Sequence, residues 1–550
     1  MKKKKLKNPI LQTKIDPLVE LLKTKTGLWV LLKLNFPFVI MLLGLCWIVY
    51  FNSLHGGFIV DDIPGFKEYD AVRNIGEAFK TYNFQAVIYA IIFKLFGLTT
   101  TPAHAISIMM HSVNAILVFL FVYIIFGKKS AIITSLLFLL HPVNVESVTW
   151  MSGRPYELNG LIFVATSMLY VAYLKTNKKN YLYASYIVCA GLTLILPSAW
   201  VLLTPGLLLI LDTYIINRQT LPSKKQIIQL FPYFIISVLL LLILLSRNAI
   251  SYRTSTLNDV VSQEDLIKSG NYIYNSAFTI ATTAKILTIP INLTLYHDMN
   301  NTNIQELNRM VVISVGIFIL ALFLFIKNRK YFGFVAIIYA SIFPTFIPWV
   351  GANHIAERYL YLGTLFFTMA LAQFLLRIEH KYNIKHMLSI TVLCISIIYS
   401  VIVINRNKDW SDGVTFFSAE VKNQPWNPRL YNELGYVYIS EYSNYEKGIK
   451  ALNTAIQLDP TFYLAYHNLG KSYVDIKDYD NGEKYLKGAL THKDDFYRSW
   501  YGLAYIEMQR KNYEMAKQYL YKTLEAKPDY DKATYMLNTI LNEEKAQPIK

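Results

Sequence analysis

Long apolar blocks separated by short polar ones occupy the first four hundred residues of this chain. Blocks long enough to cross a bilayer as helices fall at 27–51, 104–126, 130–149, 157–174, 181–197, 199–216, 227–246, 311–326, 331–348, 359–376 and 386–404. A twelfth, 272–291, is weaker, because Asn275, Ser276, Thr279, Thr282, Thr283 and Lys285 interrupt it and Pro290 ends it. The polar interval 52–103 holds two shorter helix-like stretches, 71–81 and 86–98. The second is apolar for about a dozen residues, a length suited to lying in the membrane interface. Past Asn405 the pattern becomes polar and helical.

Basic residues order these blocks. The N-terminal lysines, Lys128-Lys129, Lys175/Lys178/Lys179, Arg218/Lys224/Lys225, Lys327/Arg329/Lys330 and the 377–386 stretch all favour the cytoplasmic side. Alternation from an inside N-terminus satisfies them if 272–291 dips in or lies flat. The expectation is therefore about eleven spans with the C-terminus outside. The 52–103, 141–159 and 349–358 loops and everything after Asn405 then share the outer face. The first run resembles a signal peptide behind its lysines, but it is too long, lacks a small-residue cleavage site and is followed by many more, so it is expected to stay as a span.

A 34-residue period governs the polar end. Tyr431-x2-Leu434-Gly435-x2-Tyr438 recurs as Tyr466-x2-Leu469-Gly470-x2-Tyr473, then more loosely as Trp500-x2-Leu503-Ala504. Small residues Gly448, Gly482 and Ala516 and the leucines 452, 486 and 520 recur in phase, and Pro460 and Pro528 close two units. This is the tetratricopeptide pattern, helix pairs stacked into a solenoid. Ala533, Met536, Leu537, Ile540 and Leu541 make a stripe on a last, capping helix. The predicted architecture is all-α: a basic N-terminus (1–26), a polytopic membrane domain (27–405), a linker (406–427) and a three-repeat solenoid with its cap (428–550).

Composition agrees. Of 550 residues, 54% are hydrophobic and 17% charged, where a soluble chain carries about a quarter charged. The net charge of +17 sits mainly between apolar runs, as topology signals and phospholipid contacts do, and does not indicate nucleic acid. Cys46, Cys189 and Cys394 lie inside apolar runs and imply no disulfide frame.

The candidate chemistry gathers on the outer face. Asp61-Asp62 follow the first span. His141-Pro142 and Glu146 precede Trp150-Met151-Ser152-Gly153-Arg154 and Glu157, while His354-x2-Glu357-Arg358-Tyr359-Leu360-Tyr361 stands at the mouth of a span. Pro290 to Leu293 with Tyr296-His297-Asp298 form a fourth group. Ionisable groups at membrane depth are costly unless paired or hydrated, so this clustering suggests an aqueous cavity. A carboxylate can take a proton from an acceptor hydroxyl, and arginine forks suit the growing charge on a phosphate leaving group. Arg154 and Arg358 are the phosphate candidates, with Glu146, Glu157 and Glu357 to orient them and His141 and His354 as hydrogen-bond donors. No spacing matches a zinc site.

The run Ile59-Val60-Asp61-Asp62, then Phe96-Gly97-Leu98, His111-x2-Asn114, His141 to Arg154, Leu211-Asp212 and Glu357 to Tyr361, ahead of the repeats, resembles the transmembrane-and-TPR O-mannosyltransferases. These are GT-C enzymes related to the protein O-mannosyltransferases. The resemblance implies inverting transfer of a sugar, typically mannose, from a polyprenyl-phosphate carrier to Ser/Thr hydroxyls outside the cytoplasm. The lipid-linked sugar is then a co-substrate, no cofactor is expected, and no metal is indicated. Asp61 then matches the base, with Asp62 orienting it or the acceptor; the repeat superhelix offers a concave acceptor-binding groove marked by Tyr431, Tyr466 and Trp500. Phe84-Gln85-Ala86 departs from the family's Tyr-Arg-Pro-like motif, and Leu196-Pro197-Ser198 from its Ser-Lys-Glu-like one. Two alternatives stay open: transfer to a lipid-linked or envelope glycan, and a catalytically silent membrane-anchored scaffold. The Lys-, Ile-, Asn- and Tyr-rich usage leans towards a bacterial inner membrane.

Overall fold

A computed structural model describes residues 17–24, 26–63, 70–80, 84–195, 199–246, 272–295, 297, 302–346 and 355–546. These are helical almost throughout; among them the only β pairing is a single bridge between His297 and Ile355. The chain divides at Ser411/Asp412 into two units.

Among the described residues of the first unit, seven helices are long and apolar enough to cross a membrane: Phe36–His55, Thr101–Phe126, Met151–Thr176, Lys224–Ile243, Ile304–Lys327, Glu357–Tyr382 and His386–Asp409. Lys128–Leu140 with Pro142–Thr149 makes an eighth if that pair, bent by 50° at His141-Pro142, is one span. The bend follows from proline, which cannot donate a helical hydrogen bond. The other expected spans are shorter helices. Lys179–Ile195 has 17 residues, Arg329–Ser341 has 13, and Thr204–Ile210 runs on into a π-helical turn, Leu211–Ile216. The weak 272–291 run forms a 17-residue helix, Tyr272–Thr288.

Residue chemistry sorts the helices between bundle interior and periphery. Met151–Thr176 is 78% buried over its apolar window and carries Arg154, Glu157, Asn159, Thr166 and Ser167 inward. Ile304–Lys327, whose apolar window is 6% buried, turns Val312, Phe318, Phe323 and Ile326 outward, as a helix facing lipid would. Polar groups at membrane depth thus sit inside the protein, away from the lipid-facing surface.

One layer of hydrogen bonds ties the central helices together. His111 bonds through its two ring nitrogens to Tyr361 Oη at 2.7 Å and Leu139 O at 3.0 Å, and Asn114 donates to Glu157 O and Tyr361 Oη. The described part of the 52–103 interval docks near the start of the Thr101–Phe126 helix: Thr100 Oγ1 donates to Gly56 O at 2.5 Å. A small core of Val72, Ala78, Ala86, Tyr89, Phe93, Ala103 and Met151 holds its helices Ile75–Lys80 and Phe84–Phe96 in place. The Lys385–Asp409 helix also ends here: Asn407 donates to Val49 O, and Gly57 N–H donates to Ser411 O at 2.8 Å.

The second unit is a helix-pair solenoid from Pro428 to Ala546. Asn427, Asn444, Asp478 and Asn512 cap its helices through their side chains, satisfying N–H groups that each helix start leaves open. The interval 406–427, expected as a linker, contains the end of the Lys385–Asp409 helix and a further helix, Gly413–Asn423, capped by Asp412.

Candidate functional site

The Asp61-Asp62 pair divides its work by exposure. Val60 turns the chain with a left-handed φ of 54°, an uncommon conformation for a β-branched residue. Asp61 is left exposed, while Asp62 is 1% exposed. Ser152 donates to Asp62 Oδ1 from both N–H and Oγ, at 2.9 and 2.5 Å, and Ile59 N–H donates to Oδ2. Burial, partly offset by these hydrogen bonds, pushes the Asp62 carboxyl up to about 7. Asp62 therefore pins the loop after the Phe36–Tyr50 helix onto the Trp150–Ser152 segment.

Trp150 extends that seam. Its indole N–H donates to Ile59 O at 3.2 Å, and its ring faces the Arg358 guanidinium at 5.1 Å. Tyr359 packs on the same guanidinium at 5.0 Å. Glu146 fixes Arg358 twice, accepting from its backbone N–H at 2.8 Å and pairing with Nη1. The pair is buried, yet 11% of the Arg358 side chain stays open to solvent. Such a guanidinium is already oriented before any anion arrives. Glu357 faces elsewhere: its Oε1 accepts from Thr294 N–H at 2.5 Å and lies 3.6 Å from His297. The fourth sequence group thus meets the third there.

Arg154 serves the loop from beneath. It donates to Ala103 O at 2.6 Å and to Ser107 Oγ, and lies 4.7 Å from the Tyr89 ring. Tyr89 in turn donates to Met151 O. Arg154 is 1% exposed, so it supports the wall and is not the open clamp expected of it. Glu157 is buried near Arg154 and leaves pairing with Arg358 to Glu146. His141 also departs from expectation. Its Nε2 bonds to Leu287 O at 3.1 Å, its Nδ1 accepts from Val143 N–H, and Phe367 and Tyr399 pack its ring. Both nitrogens are engaged within the fold, leaving none for a donor. His354 lies outside the described residues, as do Tyr296, Asp298 and Leu196-Pro197-Ser198 apart from their neighbours. No cluster of metal-ligating side chains occurs among the described residues.

Sequence reasoning passed over Trp150, Ser152 and Tyr89 as working parts. The first two stood inside a quoted motif; Tyr89, on an apolar helix, gave no signal.

In the solenoid the expected groove aromatics are seam-fillers. Tyr466 packs where a side chain on Gly488 would sit, 2.9 Å from an added Cβ. Trp500 stacks on Tyr519 at 5.6 Å under Lys522, with its N–H on Asp494 O. Tyr431 is half-buried at the matching place in the first unit. A cleft of about 250 Å³ lies instead among Tyr436, Ile439, Tyr445, Asn468, Lys471 and Asp475.

The comparisons with known proteins follow this division. The family model described as "Tetratricopeptide repeat" matches residues 428–462, 463–493 and 497–530. The protein named Protein O-mannosyl-transferase TMTC3 is 22% identical over 517 residues in Mus musculus and over 508 in Homo sapiens, covering 80% of this chain in each case. The chain spans about half the length of these curated relatives, 53% and 54%. Among solved structures, MamA is 20% identical over 24% of this chain and 77% of its own, with a TM-score of 0.23. The APC/C hetero-tetramer Cut9-Hcn1 is 15% identical over 85% of this chain and 95% of its own, with a TM-score of 0.25. Likeness at those TM-scores adds nothing to the fold.

Proposed function

Because this chain is a TMTC-like, tetratricopeptide-containing relative of the protein O-mannosyl-transferases, we propose that it transfers mannose from a polyprenyl-phosphate carrier to Ser/Thr hydroxyls of proteins. The acceptor oxygen attacks the anomeric carbon as the bond from that carbon to the phosphate oxygen breaks, with inversion. Asp61, exposed at the loop tip, takes the hydroxyl proton. The carrier leaves as a phosphate whose added charge meets Arg358. Asp62 and Ser152 hold the loop against the Trp150 wall, and Arg154 braces that wall. The repeats bind the acceptor chain, with the Tyr436–Asp475 cleft as its contact.

The observation that carries this reading is the continuous seam from Asp62 through Ser152 and Trp150 to Arg358. It joins a carboxylate loop to a held guanidinium. Purified full-length protein, radiolabelled polyprenyl-phosphate mannose and envelope extract test it. Label should enter protein, and Asp61→Asn should lower the rate about 10²–10⁴-fold, the usual contribution of a general base. Label entering lipid would move the acceptor to a lipid-linked glycan. Transfer untouched by Asp61→Asn would sink the mechanism, and no transfer with the wild-type chain would leave a membrane-anchored scaffold.

A further inference from the structure

The far end of the membrane unit carries a charged cluster for which sugar transfer has no use. Phe126 ends the Thr101–Phe126 helix, whose 26 residues span roughly 39 Å from the Gly56 end. There Lys330 lies over the Phe126 ring at 5.5 Å and over Tyr331 at 5.1 Å.

Three segments bring cations to Lys330. Arg329 precedes it at the start of the Arg329–Ser341 helix. Close packing delivers Arg218: a Cβ on Gly333 would lie 2.7 Å from Ile215 Cγ1 and 2.8 Å from Tyr214 Cβ, so only glycine admits the π-helical turn this near. The turn ends with Asn217 N–H on Asp212 O and Gln219 N–H on Thr213 O, and Arg218 between them is left-handed at φ 55°. Arg377, near the end of the Tyr361–Tyr382 helix, supplies the fourth charge. Arg218 and Arg377 both act on Lys330 as like charges, and Arg377 also acts on Tyr331.

The cluster lacks an internal counter-charge. None of the four cations pairs with a carboxylate among the described residues; nearby Glu379 is paired with Lys129 instead. Lys330 donates to Gln373, which donates to Ser130. Arg329 stacks on Phe325 at 5.1 Å, and its Nη1 is buried with no hydrogen-bond partner. Like charges held this close repel unless an anion joins them. The Ile304–Lys327 helix ends two residues before Arg329, and its Leu320, Phe323 and Ile326 are exposed.

We propose that Arg218, Arg329, Lys330 and Arg377 form a head-group site for an anionic phospholipid. The arginine forks and the ammonium take its phosphate oxygens. The bare face of Leu320, Phe323 and Ile326 lies along its acyl chain. A basic cluster between helix ends is the chemistry that recognises such lipids.

Native mass spectrometry and thermal unfolding of the full-length protein in neutral detergent test this, with phosphatidylglycerol, phosphatidylcholine or inorganic phosphate added. Phosphatidylglycerol should stay bound and raise the unfolding midpoint, while phosphatidylcholine does neither. The Lys330→Gln/Arg377→Gln variant should retain at least tenfold less phosphatidylglycerol while unfolding, lipid-free, no earlier than wild type, since a repulsion has been removed. Equal retention of both lipids, or retention unchanged in the variant, would overturn the site. An equal midpoint rise from inorganic phosphate alone would assign it to a soluble anion and overturn the lipid.

Discussion

Arg358 and Glu146 illustrate how costly a preset charge is to maintain. Both are largely buried, and their mutual attraction together with the Arg358 N–H bond offsets the loss of hydration. Removing only the cation strands a buried carboxylate. Arg358→Ala should therefore destabilise the membrane unit by about 3–5 kcal/mol, read as a lower unfolding midpoint in detergent. Arg358→Met with Glu146→Gln should recover most of that midpoint and none of the transfer activity, separating the structural role of the pair from its role towards phosphate. Asp62 offers a second test. A carboxyl raised from 3.8 to about 7 holds more protons folded than unfolded between those values. Its contribution to docking the loop is thus fully present below pH 4 and lost as pH rises through about 7. Beyond the intrinsic pH dependence of exchange, hydrogen exchange across residues 52–63 should speed up between about pH 4 and 7 in the wild type and change no further above that. Asp62→Asn, which keeps the acceptor for Ser152 and cannot ionise, should flatten that dependence.

At the scale of elements, the solenoid was the most legible part of the chain, because its glycines are steric requirements repeated in register. A Cβ on Gly470 would lie 2.9 Å from Leu486 N and 3.1 Å from Gly482 O, both backbone atoms that cannot step aside. Gly470→Val should cost the helix pair about 1–3 kcal/mol as overpacking, seen as faster hydrogen exchange in Tyr463–Asp475 and Tyr479–His492 of the full chain. The periodicity that reveals those glycines does not distinguish a groove from a seam. Tyr466 and Trp500 are conspicuous in sequence because they fill space between helices, and the cleft falls on less regular positions such as Tyr436 and Lys471. A similar limit applies in the membrane unit. The apolar runs located its helices, and the motif residues named Asp62, Glu146 and Arg358. Which partner each takes depends on contacts across 90 residues for Asp62–Ser152 and 212 for Glu146–Arg358. His141 was misjudged for the same reason: its ring nitrogens are consumed by Leu287 and Val143, and no local pattern shows that.

For the whole molecule, helix length cannot settle the number of crossings, since seven, eight and eleven differ in parity. One hydrogen bond bears on parity directly. Gly57 lies just past the first span and Ser411 just past the last, and Gly57 N–H donates to Ser411 O. Both points therefore belong to the same end of the bundle, which calls for an even number of crossings between them. The basic residues point the same way: Lys128, Lys129, Lys330 and Lys381 stand at the other ends of the helices that meet there. In a Cys394→Ser background, where Cys46 and Cys189 are buried, Thr99→Cys should react with an impermeant maleimide added outside intact cells. A reporter fused after residue 410 should be active only outside the cytoplasm. A cytoplasmic reporter beside an externally labelled Thr99→Cys would require the Gly57–Ser411 bond to span the bilayer. That outcome would undo both the topology and any acceptor role for the repeats, because the bound protein and Asp61 would then face different compartments.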